Sequence, residues 1–463
     1  MTTFKIHNTL GNTKEEFVPI DKNNVKIYAC GPTVYNYAHI GNARMAVVCD
    51  LLVRTLKHFF SKVTFVSNIT DIDDKIINAA LENKTPINEL TRKFENIYNQ
   101  DMLALGVLKP DIQPRATEHI KDMIKLIEIL INNKNAYVKD KHVLFDVPSY
   151  PQYGQLSGRK KEDQIAGSRI KVEEYKNNAA DFILWKPSSN DQPGWDSPWG
   201  KGRPGWHIEC SAMSEKTLKL PFDIHSGGLD LTFPHHENEI AQTCAAHKFK
   251  SPKEYAKYWF HNGFVTIDGE KMSKSEGNIF LVNELINTYP GESLRFALLS
   301  SHYRQPLNWN TSLIQQSQKN LDRMYRVLKE NEKIKNIKVD ADENVIKALA
   351  DDLNSVKAIA EINNLTENLS KADDENKPLL KSKLIASGNL LGILQKSPND
   401  WLKYGITENN NDGNLIKELV EKREKARETK DYKLADEIRI KLNNLNIEIE
   451  DTSEGTKWRK KSN

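Results

Sequence analysis

Hydrophobic and polar residues alternate over residues 25–29, and this β-rich run stops at a Cys-Gly-Pro sequence. A long apolar pattern with helical spacing then extends to about Phe60, and a second strand-like run covers residues 63–68. The order of strand, helix and strand predicts a βαβ unit. In such a unit, the loop after the first strand and the N-terminus of the helix form a site for anions, because free backbone N–H groups point outwards there.

Polar residues lie at both predicted strand ends. His39, Gly41 and Asn42 open the helix; Gly41 lets the backbone approach a ligand closely, and His39 can donate to phosphate oxygens. By itself, this short motif is better explained by a capping or core histidine. Thr70 follows the second strand, where open α/β sheets bind ligands, and helix capping explains it equally well.

The pattern changes near residue 109, where prolines break the chain. The pattern over residues 115–200 predicts an inserted subdomain. It has an amphipathic helix at 117–132 and short strand-like runs between turns rich in Pro, Gly and Lys. The main sheet resumes at residues 222–225. The glycine-rich turn after it leaves Asp230 able to accept hydrogen bonds from hydroxyl groups.

Metal-ligand side chains are concentrated in residues 234–239, which read Pro-His-His-Glu-Asn-Glu. Proline suits the first helical turn, so a helix is predicted to start near this proline. His235 and Glu239 then share a face, whereas the residue four positions after His236 is Ile240. A helix N-terminus with solvated histidines and carboxylates explains this stretch equally well.

The four cysteines have spacings that fit no disulfide framework, which leaves metal binding or burial as their uses. Cys49 lies in an apolar helical run, and Cys244 lies well round the predicted helix from Glu239, so both suit burial. Cys30 and Cys210 remain as thiolates that can complete a tetrahedral zinc site. A helix beginning near residue 205 puts Cys210 four residues after Trp206, which then either walls the metal pocket or lies in the core.

Composition describes an ordinary globular protein of 463 residues, long enough for about three domains, with 28% charged and 38% hydrophobic residues. No run of about 18 apolar residues occurs, and the first ten residues are not a signal peptide, so we expect a cytoplasmic protein without membrane contact. The net charge of +3 is too small to indicate a nucleic-acid partner.

The remaining chain is mostly helical in pattern. The predicted elements are an α-helical bundle with apolar residues at spacings of three and four over residues 313–328 and 345–365, a linker at 407–414, a charged helical region at 415–442 and a short strand at 447–450. Near the end, Trp458 lies among cations, where an exposed aromatic ring can stack an unpaired base. Charge on such helices is more often only a solvated face.

A loop of small residues and lysines follows a strand-like run at residues 263–267. Lys271 and Lys274, with Ser273 between them, can fold onto a polyphosphate and neutralise charge as a leaving group departs. Residues 271–275 read Lys-Met-Ser-Lys-Ser, and with the His-Ile-Gly motif far upstream they make the chain resemble class I aminoacyl-tRNA synthetases. The cysteines, His235 and Glu239 make it resemble the cysteinyl-tRNA synthetase family within that class.

The resemblance covers nearly the whole chain and is most specific over residues 25–75 and 195–310. It implies an α/β fold: a Rossmann-like parallel-sheet catalytic domain with an inserted subdomain, followed by an α-helical bundle and a small C-terminal α+β domain. The implied domains are the catalytic domain with its zinc site (1–114 and 201–262), the inserted connective subdomain (115–200), the lysine loop and stem-contact region (263–310), the helical-bundle tRNA-binding domain (311–404) and the C-terminal anticodon-recognition domain (405–463).

The resemblance also implies roles for particular residues. It implies one zinc ion per chain at Cys30, Cys210, His235 and Glu239; ATP, with Mg²⁺, at His39, Gly41, Asn42, Asp230, Lys271, Ser273 and Lys274; cysteine at Gly31, Thr70, Trp206 and His225; and catalytic roles for Lys274, Lys271 and His39. Asn42 departs from the general class I signature, which has a second histidine there. Asparagine keeps an N–H donor but loses any positive charge.

The implied reaction joins L-cysteine to tRNA(Cys) through a cysteinyl adenylate made from ATP, with zinc selecting the substrate thiolate and a monomer as the working unit. Residues 351–354 (Asp-Asp-Leu-Asn) resemble a piece of the family's anticodon-binding helices, with an ordinary helix start as the alternative. Two rival functions are a ligase that joins cysteine to an amino sugar, which needs no anticodon-binding tail, and a zinc-stabilised RNA-binding protein without catalysis. The intact lysine loop argues against the second.

Overall fold

The computed structural model describes residues 2–159, 173–189, 191–267, 269–272, 278–402, 411–445, 447–452 and 455–460. These residues form two compact units. The first comprises Met1–Asn287, Leu298–Trp309 and Ile346–Ala358, and the second comprises Thr288–Ala297, Asn310–Val345 and Ile359–Asn463.

The strands are numbered in chain order. They are β1 (Lys5–Asn8), β2 (Thr13–Glu16), β3 (Val25–Ala29), β4 (Val63–Ser67), β5 (Ala136–Lys139), β6 (His142–Phe145), β7 (Phe182–Pro187), β8 (Gly202–Pro204), β9 (Phe222–Gly228), β10 (Ala256–Asn262), β11 (Val265–Ile267), β12 (Glu270–Lys271), β13 (Leu307–Trp309), β14 (Ile447–Thr452) and β15 (Gly455–Lys460).

The α-helices are numbered in the same way. They are α1 (Ile40–Phe59), α2 (Asp74–Asn83), α3 (Ile87–Ala104), α4 (Ile120–Asn132), α5 (Trp206–Leu218), α6 (Glu237–His247), α7 (Val282–Thr288), α8 (Gly291–Leu299), α9 (Thr311–Glu330), α10 (Glu343–Ala350), α11 (Ser355–Lys371), α12 (Lys377–Leu391), α13 (Pro398–Leu402), α14 (Asn411–Glu428) and α15 (Tyr432–Asn444). None of the helices in the described ranges is both long and apolar enough to cross a membrane.

A parallel sheet in the order β10-β9-β3-β4 lies in the first unit. Helix α1 connects β3 to β4, as the sequence predicts, and buried side chains such as Val47, Leu51 and Leu56 cover the sheet. Burial of each such side chain contributes about 1.5–3 kcal/mol relative to exposure. The predicted Rossmann-like α/β fold is therefore confirmed. The central strands β3 and β9 end side by side, and the Cys30 N–H donates to the Ser226 carbonyl.

The inserted region forms an antiparallel sheet in the order β5-β6-β7-β8. Its helix α4 begins at Ile120 after a short 3₁₀ turn at Ala116–His119, where the pattern predicts a helix from residue 117. One hydrophobic core runs through Val66 of the parallel sheet, Leu126 of α4 and Trp185 of β7. The insertion is thus distinct in sequence but shares its apolar interior with the parallel sheet.

The second unit contains the predicted helices of the bundle and the C-terminal α+β region. Within the bundle, Tyr325 of α9 stacks on Trp401 of α13 with ring centroids 4.6 Å apart, and the Trp401 indole N–H donates to Asp322 at 2.8 Å. The C-terminal elements α14, α15, β14 and β15 enclose their own small core of Ile416, Val420, Ile438, Leu442 and Ile447. Strand β15, which pairs antiparallel with β14, is absent from the sequence prediction.

The helical pattern predicted over residues 345–365 is interrupted. Helix α10 ends at Ala350 and α11 begins at Ser355, because Asp352 (φ +60°) and Leu353 (φ +52°) adopt left-handed backbone angles that an α-helix cannot continue. Residues 346–358 belong to the first unit, although the sequence-based boundaries place them in the bundle.

Candidate functional site

The four predicted metal ligands come together at the carboxyl end of the parallel sheet. Cys30 follows β3, Cys210 lies on α5, and His235 and Glu239 lie in or just before α6. Their ligand atoms all lie within 4.8 Å of one another, and all four side chains are buried. The structure therefore assembles, from distant parts of the chain, a donor cluster of two sulfurs, one imidazole and one carboxylate.

The spacing within this cluster fits a small tetrahedral ion. The Cys30 and Cys210 Sγ atoms are 3.6 Å apart, Cys30 Sγ is 3.5 Å from Glu239 Oε1, and His235 Nε2 is 3.0 Å from that same oxygen. Zinc bonds of about 2.3 Å to sulfur and about 2.0–2.1 Å to nitrogen or oxygen place tetrahedral ligand atoms roughly 3.3–3.8 Å apart. The donor types suit zinc, and the two sulfur separations of 3.6 and 3.5 Å fall in this range, while the His235–Glu239 separation of 3.0 Å is somewhat shorter.

A second, overlapping cluster shares two members with the first. Cys30, His225, His236 and Glu239 also have ligand atoms within 4.8 Å of one another. We call Cys30, Cys210, His235 and Glu239 the first donor set, and Cys30, His225, His236 and Glu239 the second. His236 Nε2 lies 3.3 Å from Cys30 Sγ, and His225 Nε2 lies 2.9 Å from Glu239 Oε2.

The helix predicted to start near Pro234 becomes a regular α-helix three residues later. A π-helical turn occupies Thr232–His236, with Phe233 in an extended conformation, and the regular helix α6 begins only at Glu237. His235 still pairs with Glu239, as the four-residue spacing predicts. His236 lies three residues before Glu239, a spacing that also shares a helix face, and its ring points into the cluster as well.

The two cysteine thiols differ in how readily they ionise. Burial raises the pKa of Cys30 well above its ordinary value, whereas the hydrogen bond from the Cys30 thiol lowers the pKa of Cys210 to about 6. Burial opposes ionisation of Glu239, but His225 and His235 hold the pKa of its carboxyl well below the ordinary value. A thiolate and a carboxylate are thus favoured near neutral pH, which suits a divalent cation because metal ligands must be deprotonated.

Two of the predicted cysteine-binding residues border this cluster. The Trp206 ring stacks on His235 with centroids 4.3 Å apart and is 39% exposed. His225 is fully buried and stacks on Trp259, with centroids 4.6 Å apart. The cluster therefore has an exposed aromatic wall on its His235 side and a closed wall on its His225 side.

The other two, Gly31 and Thr70, are linked by a residue that the sequence prediction does not single out. The Gly31 N–H donates to Asn68 Oδ1 at 2.9 Å, and Asn68 Nδ2 donates to the Thr70 hydroxyl at 3.2 Å. A Cβ on Gly31 would lie 1.6 Å from the Asn68 carbonyl oxygen, so only glycine fits there. Thr70 in turn donates to the buried Glu209 at 3.2 Å. In the sequence, Asn68 lies two residues before Thr70 and Glu209 lies directly before Cys210, and this nearness to predicted site residues is the one signal that points to them.

The described residues predicted to bind ATP lie in three places: the first turn of α1, the turn after β9 and the end of β12. His39 caps α1: its ring accepts from the Asn42 N–H at 3.3 Å, and the Asn42 side chain accepts from the His39 N–H at 3.1 Å. Gly41 lies in the first turn, where an added Cβ would lie 3.0 Å from the His39 ring. Asp230 is exposed on a 3₁₀ turn after β9, and Lys271 ends β12. Ser273 and Lys274 lie outside the described residues.

Comparison with known proteins identifies the class. Residues 16–319 match the family model of the tRNA synthetases class I (C) catalytic domain. A methionyl-tRNA synthetase of Mycobacterium tuberculosis in complex with methionyl-adenylate has the same fold, with a TM-score of 0.58 and 15% identity over 82% of this chain and 93% of that one. A LeuRS of Agrobacterium radiobacter in a ternary complex also has a TM-score of 0.58, at 12% identity over 81% of this chain and 84% of that one. The fold is that of a class I aminoacyl-tRNA synthetase.

Closer relatives give the particular family. The cysteine-tRNA ligase of Parvibaculum lavamentivorans is 50% identical over 457 residues, which cover 98% of this chain and 97% of that protein. The cysteine-tRNA ligase of Maricaulis maris is 49% identical over 464 residues, covering 99% of this chain and 100% of that protein. The chain belongs to the cysteine-tRNA ligase family.

Proposed function

We propose that the chain activates L-cysteine with ATP and then transfers the cysteine to the 3′ end of tRNA(Cys). In the first step a carboxylate oxygen of cysteine bonds to the α-phosphorus of ATP, and the bond to diphosphate breaks, leaving cysteinyl adenylate. In the second step a terminal ribose hydroxyl attacks the carbonyl carbon and AMP leaves. The observation that carries the proposal is the buried first donor set, which begins at Cys30 on the loop between β3 and α1.

We assign one zinc ion to the first donor set rather than the second. The His235 side of the cluster carries the exposed Trp206 ring, so a substrate can reach it, whereas His225 and His236 are fully buried. Zinc held there would supply a position for a thiolate, either as a fifth ligand or in place of Glu239. Trp206 and His225 border that position, and Gly31 and Thr70 receive the amino-acid end of the substrate.

The ATP site is assigned to the first turn of α1 and the lysine loop. The α1 N-terminus presents the positive end of the helix dipole to phosphate oxygens. Lys271 and Lys274, with Mg²⁺ on the phosphates, offset the negative charge of the departing diphosphate, and Asp230 accepts from ribose hydroxyls. No protein nucleophile is required, because positioning and electrostatic stabilisation suffice for phosphoryl chemistry of this kind.

The tRNA-binding role is assigned to the helical bundle and the C-terminal region. We keep residues 311–404 as a tRNA-binding domain and 405–463 as an anticodon-recognition domain. The cationic end of the chain, residues 457–461, suits a phosphate backbone, and Trp458 suits stacking on an unpaired base.

The deciding experiment is cysteine-dependent exchange between ATP and labelled diphosphate, followed by tRNA charging with the same preparation. We expect exchange with L-cysteine and charging of tRNA(Cys). Exchange without charging of any tRNA, together with transfer to an amino sugar, would identify the amino-sugar ligase instead. Absence of exchange from a zinc-containing, folded preparation would contradict the proposal.

Replacing Lys274 by alanine is expected to lower the exchange rate roughly 10²- to 10³-fold, because one donor to the developing charge is lost. Cysteine affinity should stay the same, since the lysine loop is assigned to ATP alone. Steady-state kinetics in ATP and in cysteine measure both effects, with Lys253→Ala, an exposed lysine of the first unit, as the control. An unchanged exchange rate would make the lysine loop structural.

A chain ending at Lys403 is expected to form cysteinyl adenylate normally but to charge tRNA poorly. The removed elements α14, α15, β14 and β15 enclose a core of their own, so the truncation removes a whole hydrophobic cluster rather than part of one. Charging is measured at constant salt concentration, because phosphate contacts weaken as salt rises. Equal charging by truncated and full-length chains would contradict the assignment of this region to tRNA.

A further inference from the structure

Asp352 is a buried carboxylate with more partners than a helix connection needs. It is 2% exposed, and its Oδ1 accepts from the His7 N–H at 2.8 Å and from the Tyr303 hydroxyl at 2.6 Å. Its Oδ2 accepts from Arg304 Nε at 2.9 Å. Asp352 and Leu353 both have left-handed backbone angles, which residues other than glycine rarely adopt. The surrounding contacts therefore hold an unfavourable backbone conformation here.

Arg44 of α1 binds the same segment, residues 302–305, through its backbone. Its guanidinium is fully buried and donates to the carbonyl oxygens of Phe264 (2.5 Å), Gln305 (2.5 Å) and His302 (3.3 Å). Within the described ranges, Arg44 has no carboxylate at ion-pair distance, so backbone carbonyls solvate this buried cation. Burial lowers the pKa of Arg44 to about 10, which leaves it charged at neutral pH.

Strand pairing connects residues 302–305 to the two strands that precede the lysine loop. The segment continues into β13, which pairs with β11, and β11 pairs with β12, the strand that ends at Lys271. On the far side of the lysine loop, the Val282 N–H donates to the Ala38 carbonyl at 2.8 Å. The Ile40 N–H, at the start of α1, donates to the Phe280 carbonyl at 2.9 Å. The chain is therefore bonded to the start of α1 both before and after the lysine loop.

We propose that Arg44 and Asp352 are positioning residues that both bind residues 302–305 and thereby fix β12 relative to the first turn of α1. In this arrangement, Arg44 binds the backbone of the segment and Asp352 binds its side chains. The consequence for catalysis rests on the proposed function, in which the lysine loop and the α1 N-terminus bind the same ATP. The Asp-Asp-Leu-Asn motif at residues 351–354 then serves the ATP site rather than the anticodon.

The kinetic test compares Asp352→Asn and Tyr303→Phe with Asp351→Asn. Asp351 is the matched control, because its carboxylate is 56% exposed and pairs with Lys14 at the surface. We expect Asp352→Asn to lower kcat/KM for ATP roughly 10- to 100-fold in the exchange reaction, since small misplacements of reacting groups have effects of this size. Tyr303→Phe, which removes one hydroxyl and keeps the ring, should show a smaller loss. KM for cysteine and zinc content should stay within twofold of wild type.

A second measurement does not depend on activity. Hydrogen exchange followed by mass spectrometry should show faster exchange in Asp352→Asn for peptides containing Val282 and Leu307, whose N–H groups bond to Ala38 and Phe264. Peptides from α6 should not change. If wild-type protein shows no cysteine-dependent exchange of ATP, the proposed function fails and the hydrogen-exchange result alone decides the positioning role. Two outcomes would overturn that role: Asp352→Asn behaving like Asp351→Asn, or an equal loss of cysteine binding and zinc, which indicates general destabilisation.

Discussion

Cys210→Ala is expected to lose the zinc ion that we assign to the first donor set and to lower cysteine-dependent ATP exchange roughly 10⁴-fold, the size of effect seen when a site loses the one bond that recognises its substrate. Cys210 is 2% exposed and lies 3.6 Å from the sulfur of Cys30, so no neighbouring thiol can replace it without rearrangement. Zinc per chain, measured by elemental mass spectrometry, and exchange kinetics on the same sample test the two effects together.

The matched control is Cys244→Ala. Cys244 is equally buried, at 1% exposure, and lies on the same helix as Glu239, but it belongs to neither donor set. We expect this variant to keep one zinc ion per chain and nearly the full rate of cysteine-dependent ATP–diphosphate exchange. Full zinc content in Cys210→Ala, combined with zinc loss in His236→Ala, would move the metal to the second donor set and overturn our assignment.

The parallel sheet and its connecting helix could be predicted because local patterns determine them. The run at residues 25–29 and the apolar helix after it differ in period, and β3 and α1 form where those periods predict. The first donor set could be proposed from the sequence because Cys, His and Glu are all residue types that bind zinc. What the four-residue spacing misses is His236, which lies three residues before Glu239 and also faces the cluster.

The roles of Asp352 and Asn68 could not be predicted for a related reason. Asp352 follows an apolar helical pattern, so its sequence resembles an ordinary helix start, and its partners His7 and Tyr303 are remote in the chain. Asn68 ends a strand-like run and carries no charge, yet its side chain joins Gly31 to Thr70. Both depend on tertiary contacts that hydrophobic periodicity does not report.

Discrimination between cysteine and serine is expected to reach about 10⁴- to 10⁵-fold in kcat/KM without hydrolytic editing. These substrates differ by one side-chain atom, and a hydrophobic pocket separates such near-isosteres by only about 10²-fold. A zinc position that accepts a thiolate adds a bond that serine cannot match, since a hydroxyl is a harder and much less acidic ligand that competes with water. Exchange kinetics with each amino acid measure the ratio; a value near 10² would show that the pocket alone discriminates.

Zinc-edge X-ray absorption with and without cysteine tests the physical basis of that ratio. The first donor set contributes two sulfurs, from Cys30 and Cys210, whereas the second contributes only the sulfur of Cys30. We expect two sulfurs at about 2.3 Å in the free protein and three with bound cysteine, with serine leaving the count at two. Glu239 is the ligand most able to shift when the substrate sulfur arrives, because His225 and Tyr255 both bond to its Oε2 at 2.9 Å and can hold the carboxylate away from the metal. A sulfur count that stays the same on adding cysteine would leave serine rejection without a metal-based cause.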